Sequence, residues 1–330
     1  LTGEGAGSEL LKTSGTDEVG VTVKANSTLL LGGTDYAKGG TLAGTVTVES
    51  NGTLTATGGE TFTVDAIDGA GTVLIGEDKT AGKLTITQLA ENFTGTVFVD
   101  PAWKDDETLD VIGNASHLEI SKVDTAITGT LAAGRNSLIT LGADAAEAAS
   151  AFEAIASVQG LSWGEKNVTA ALYLGAPIEV AGKIVVDGSL TDATSVAATY
   201  PNNATLYVAN QGILIVSQSQ GSSDTSMIAG TLSVADGSYI GVTNASEGSF
   251  KLADTITGTT EVVTDNPFIE GEISTADGTL TNTLNADSGL SALASLGIQS
   301  MDRRADFTLS ETIADRTAID QQLHAGVNLW

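Results

Sequence analysis

The sequence predicts an elongated all-β solenoid, and three observations predict it. Short runs alternate apolar and polar residues with a period of two, most of them open on a glycine, and copies recur at intervals of about ten residues. The 330 residues also exceed the size at which one compact core keeps growing, which leaves several domains or a repeat architecture.

The runs can be followed along the chain. In the N-terminal third they are 44–49 (GTVTVE), 52–56 (GTLTA), 71–75 (GTVLI), 82–87 (GKLTIT) and 95–99 (GTVFV). Later copies are 129–131 (GTL), 182–186 (GKIVV), 204–208 (ATLYV), 230–234 (GTLSV) and 278–280 (GTL). The common theme is a turn residue, then Thr or Lys, then apolar-x-apolar. Such alternation places Val, Leu and Ile on one side of a strand and Thr, Ser or Asp on the other, as a strand with one buried side requires. The spacing is too short for a helical crossover and fits successive strands and corners of a coil. Asn51-Gly52, Asp68-Gly69, Asp187-Gly188, Asp236-Gly237 and Asp277-Gly278 are expected to supply positive φ at the bends.

One stretch breaks the pattern. From about 143 to 159 the chain is rich in alanine, with Phe152, Ile155 and Val158 near helical spacing and no glycine until Gly160. That predicts a helix of about four turns inserted as an elaboration or cap. After Asn285 the character changes again. Asp287 or Ser288 can N-cap a helix carrying Leu290, Leu293, Leu296 and Met301, and Ser310 with Glu311 opens a second helical stretch to about Gln322. Leu323, Ala325, Val327 and Leu329 then alternate with His324, Gly326, Asn328 and Trp330, which reads as the beginning of a strand.

Composition narrows the partners. Fourteen Lys+Arg against 41 Asp+Glu give a formal charge of −27, a field that repels phosphate backbones and keeps a long molecule dispersed. Nucleic acid is therefore excluded as a partner. The absence of cysteine removes disulfides, thiolate metal sites and cysteine nucleophiles together, and suits a secreted chain that must stay threadable before it folds. No run approaches 18 consecutive apolar residues, so no helical membrane span is expected within 1–330. The chain starts at Leu1 without a charged and apolar leader, so an export signal is expected to have been removed or to lie upstream.

Glycine-turn β-repeats, an amphipathic helical stretch from Ser288 to Gln322 and the closing segment LHAGVNLW together resemble the passenger-to-translocator junction of a bacterial type V (classical) autotransporter. The resemblance implies a right-handed parallel β-helix passenger over 1–285, with autochaperone-like rungs at about 230–285. It further implies a linker helix over 286–322 and the start of the first barrel strand at 323–330. In that tail, alternating apolar residues would face lipid and Trp330 would suit an interfacial girdle. By the same resemblance the protein would sit at the cell surface, tethered to the Gram-negative outer membrane by a C-terminal barrel or released from it. Such a barrel would continue past Trp330 as further alternating strands.

Autotransporter passengers include hydrolases, so chemistry was sought in the residues. The histidines are His117 and His324, and the second falls in the expected barrel strand. His117 is flanked by Ser116 with Asp124 nearby, but neighbours on a strand point to opposite faces, so Ser116 and His117 are badly placed as nucleophile and base. His117 is expected to be a polar surface residue. No Gly-x-Ser-x-Gly elbow or His-Glu-x-x-His site occurs, and Asp187-Gly188-Ser189 reads as a turn. With so few histidines and no cysteine, no transition-metal site and no cofactor is expected. Gly32-Gly33-Thr34-Asp35 lacks the tandem copies of a calcium repeat.

The densest acidic cluster is Asp105, Asp106 and Glu107 beside Trp103, a composition compatible with sugar stacking or with a solvated loop between rungs. These four residues are the speculative ligand-binding candidates. The expectation for function is a surface-displayed adhesin or self-association module. It would bind host or bacterial glycans or proteins through an extended polar face, with many weak contacts. The rival from another class is a carbohydrate-active β-helix using groove carboxylates, and a third reading is a structural stalk for a more distal domain. A flat Thr/Ser ladder would favour the first; converging acids with aromatic walls would favour the second.

Overall fold

The computed structural model describes residues 20–32, 39–58, 61–76, 80–99, 112–164 and 167–285. The expected linker and barrel strand, and most of the residues around the acidic cluster, lie outside them. The described chain is mostly β and is built as successive rungs. Each of the first five contributes one strand to sheet I and one to sheet II. They are β1 (Val21–Val23) with β2 (Thr28–Gly32), β3 (Gly40–Val48) with β4 (Thr53–Thr57), and β5 (Thr61–Gly69) with β6 (Thr72–Ile75). Then follow β7 (Lys83–Leu89) with β8 (Thr96–Val99) and β9 (Ser116–Ile120) with β10 (Thr130–Ala133). Odd strands pair in parallel with odd, and even with even, so the chain coils between two stacked sheets.

Two excursions interrupt the alternation. After β11 (Ser137–Leu141), α1 (Ala145–Gln159) carries the chain out and back to β12 (Ala170–Leu174), which pairs in parallel with β11 in the same sheet I. The short β13 (Ile178–Glu179) leads to β14 (Lys183–Asp187) in sheet II. There α2 (Thr194–Thr199) returns the chain to β15 (Thr205–Ala209), again beside the strand it left. The first excursion adds a strand to sheet I without one to sheet II, the second does the reverse, and the sheets come back into step. The coil resumes with β16 (Gly212–Ser217), β17 (Ile228–Val234) and β18 (Tyr239–Thr243). After β19 (Gly248–Lys251), β20 (Ala253–Gly258) joins sheet II and β21 (Glu261–Thr264) joins sheet I, making ten strands in each. Last, β22 (Ile269–Ser274) and β23 (Thr279–Leu284) form an antiparallel sheet with β19.

This architecture is consistent with the parallel β-solenoid that the alternation predicts. The inserted helix appears within two residues of its expected bounds. Two expectations are corrected. The spacing argument ruled out helical crossovers, yet α1 and α2 are both crossovers between adjacent parallel strands, made possible by the longer gaps at 142–169 and 188–204. Positive φ does occur at Asn51, Gly69, Gly237 and Gly278, but neither Asp187 nor Gly188 is left-handed. There the Asp187 carboxylate shapes the turn by accepting from the Ser189 N–H and hydroxyl, both at 2.7 Å.

One aliphatic column runs between the sheets, from Val46 and Leu54 through Leu118, Ile139 and Leu172 to Val242 and Ile256, all buried. Phe93 is the large exception to its small side chains. Its ring lies in the space above Gly95 and Gly129, where a Cβ on Gly129 would come within 2.6 Å of it. The strands β11, β12, β15 and β16 are buried on both sides, because α1 and α2 cover their outer faces. Replacing Ile139 on the inner face by alanine should cost about 2–5 kcal/mol in denaturant unfolding. Thr85→Ala, on a half-exposed outer position, should stay within about 0.5 kcal/mol.

Candidate functional site

The outward positions of the two sheets are the surfaces that could act on anything. On sheet II the first outward position of every rung stands in register from one end to the other. The column runs Thr28, Thr53, Thr72, Thr96, Thr130, Lys183, Thr205, Thr231, Thr255. Threonine fills all but one place, and at a strand spacing of about 4.8 Å the nine rungs span about 38 Å. The expected glycine-threonine theme thus becomes a continuous hydroxyl ladder. The next outward column of sheet II is Leu30, Thr55, Leu74, Phe98, Ala132, Val185, Tyr207, Ser233 and Thr257, so neither column carries a carboxylate.

The single break in the ladder has a structural reason. Lys183 is buried, and its Nζ donates to the Tyr200 carbonyl at 2.7 Å, just past the end of α2. A cation there satisfies a C-terminal carbonyl that the helix leaves free. Tyr200 also donates its hydroxyl to Asp187 Oδ2 at 2.5 Å, and Asn210 Nδ2 donates to the other carboxylate oxygen at 3.0 Å. Burial first, and this bond to Asp187 second, hold the Tyr200 hydroxyl above the usual tyrosine range. Asp187 is thereby fully engaged in fixing α2 against Phe98, Val185 and Tyr207.

Sheet I carries the polar block that includes His117. Contrary to the expectation of a surface histidine, His117 is only 7% exposed. It faces outward, but the outer face is covered at this height. Its Nε2 lies 2.5 Å from Thr140 Oγ1, and its neighbours in register are Lys83 and Leu138. Desolvation, with the Lys83 charge next, lowers its pKa to about 4 against a smaller opposing pull from Asp144. Ser116 points to the other face, where its hydroxyl accepts from the Gly82 N–H, so the two residues do not meet, as strand geometry anticipated. Asp124 is exposed on a turn.

Around His117 the N-terminus of α1 docks on the sheet. Asp144 caps it by accepting from the Glu147 N–H at 2.8 Å, and Tyr173 donates its hydroxyl to Glu147 at 2.9 Å. Glu119 accepts from the Ala145 N–H, yet burial raises its carboxyl above the ordinary value. Further along, Ala148, Phe152 and Ile155 pack on Leu138, Ala171, Ile213 and Ile215. The Gln159 amide closes the far end on the Thr264 carbonyl. These contacts engage each other and leave no free nucleophile and base side by side.

Trp103, Asp105, Asp106 and Glu107 lie outside the described residues. Among the described residues, no group of three or more His, Cys, Asp or Glu is arranged to hold a metal. No described helix is long and apolar enough to cross a membrane. Comparison of the chain with protein-family models, with curated proteins and with solved structures returned no match.

Burial of His117 has a measurable consequence. Its folded pKa of about 4 lies below the unfolded value near 6.5, so the unfolded chain binds the extra proton first. Stability is therefore full above about pH 6.5 and falls as the pH drops toward 4, by about 3 kcal/mol at the limit. Denaturant unfolding of His117→Gln should lack that part of the acid slope. At the other block, Lys183→Met should cost about 1–3 kcal/mol by leaving the Tyr200 carbonyl without its donor. Lys183→Thr should not recover it, although it would complete the ladder.

Proposed function

We propose that the chain is the surface-displayed passenger of a Gram-negative autotransporter, acting as an adhesin or self-association module through an extended polar face. In this reading the solenoid is a right-handed β-helix that ends in the linker and first barrel strand expected beyond Asn285. The observation that carries the proposal is the threonine ladder of sheet II. An uncharged column of hydroxyls about 38 Å long offers a donor and an acceptor at each threonine rung, a pattern suited to many weak bonds to a glycan or protein surface. In a chain of charge −27, a face without carboxylates is also where another acidic surface meets least repulsion.

The rival reading, a carbohydrate-active enzyme, requires acids converging on a groove. The outward columns of sheet II place threonine or apolar residues where such acids would stand. The half-exposed threonines 53, 72 and 96 are the natural probes, because valine keeps their shape and removes only the hydroxyl. Bacteria displaying the full-length protein should adhere or aggregate, and antibody against the solenoid should label intact cells. The triple variant Thr53→Val, Thr72→Val, Thr96→Val should reduce adhesion about tenfold or more if each lost hydroxyl contact is worth about 0.5–1 kcal/mol. Unchanged adhesion with an intact fold would remove the ladder from the proposal.

A further inference from the structure

The N-cap of α1 stands between two groups that call for the same carboxylate. One is the helix itself, whose first-turn amides have no intrahelical acceptor and present the positive end of the helix dipole. Asp144 answers that need through the Glu147 N–H. The other is His117, on β9 beneath the helix start, whose charge Asp144 is placed to feel. In its neutral form His117 makes no demand on Asp144 and is held by the Thr140 hydroxyl.

We propose that Asp144 is a two-position acid switch: it caps α1 while His117 is neutral and turns to pair with His117 once that ring is protonated, uncapping the helix. The surroundings favour the exchange over other ways of compensating the new charge. From β7, Lys83 faces the ring and repels it when protonated. From β9 itself, Glu119 is engaged by the Ala145 N–H. From β11 the ring meets a neutral hydroxyl, Thr140. From β12, Tyr173 occupies Glu147. Asp144 is the carboxylate whose present bond is a single capping contact, and it sits on a short segment between β11 and α1.

Turning Asp144 inward leaves the Glu147 amide unsatisfied and loosens the first turn, while the packing of Phe152 and Ile155 holds the rest of the helix. The switch thus acts on one end of the element that covers the apolar outer face of sheet I. It is independent of the adhesin reading, since it needs only the fold.

The test is residue-resolved amide hydrogen exchange of the 330-residue chain at pH 7 and pH 4.5, each amide referred to its intrinsic rate. In the unaltered chain the Glu147 amide should lose about fivefold to tenfold in protection at pH 4.5, the worth of one cap. The amides of Phe152 and Ile155 should change less than twofold. His117→Gln keeps a hydrogen-bonding group toward Thr140 and cannot charge, so its Glu147 amide should stay protected. Asp144→Ser retains a capping oxygen that has no charge to offer His117, and it too should keep its protection in acid. Equal acid loss in the unaltered chain and in either variant would overturn the proposal, as would an unaltered chain with no loss. Should His117→Gln fail to fold, Asp144→Ser decides alone.

Discussion

A parallel rung cannot stand by itself. Each strand here has its hydrogen-bonding groups directed at the strands above and below, and one aliphatic side that is dry only when those neighbours are present. Everything else in the molecule follows from that shared dependence. It dictates Val, Leu and Ile at the inner positions and corners tight enough to keep the rungs aligned. It also demands something at each end to stop the stack from recruiting strands from another chain. At the C-terminal end that task falls to the antiparallel sheet of β19, β22 and β23. The corner at Gly278 accepts the Leu252 and Ala253 amides of the last sheet II rung.

The outer faces are where the chain departs from pure repetition, and the departures share a physical logic. Strands whose outer positions turn apolar, such as β12 and β16, do so only where a helix lies over them. The helices in turn bring a single buried polar anchor each. Under α2 the anchor is Lys183 with Asp187 and Tyr200; under α1 it is Thr140 with His117, and Tyr173 with Glu147. Hydrogen bonds of this kind add little net stability compared with the packing around them, but leaving one unmade in a dry site is costly. They therefore fix where each helix sits more than whether it forms.

Much of this was legible in the residues. Period-two alternation after glycine located most strands of the first five rungs, and the alanine-rich run located α1 because it contains no turn residue until Gly160. Other parts were not. The six residues of α2 include threonine and valine, weak helix formers, and are too short to show a period. The antiparallel cap uses the same alternation as a parallel strand, so sequence could not tell its direction. Threonine after the turn was visible in each copy, but the ladder exists only because corners of unequal length bring those threonines into register. His117 looked exposed because alternation reports which face a residue is on, and says nothing of what covers that face. The continuous apolar run of Ser137–Leu141 beside it was the available hint that both faces there are dry.

The two crossovers carry an arithmetic lesson for anyone who would shorten, lengthen or recombine this fold. One doubles a strand on the first side of the coil and the other doubles a strand on the second, so together they leave the winding in phase. Excising either alone would strand the downstream chain on the wrong side at every subsequent half-turn, delivering aliphatic residues to corners and glycines to the middle of sheets. Although more than thirty residues separate the two helices, they behave as one unit of inheritance: both present, or both gone.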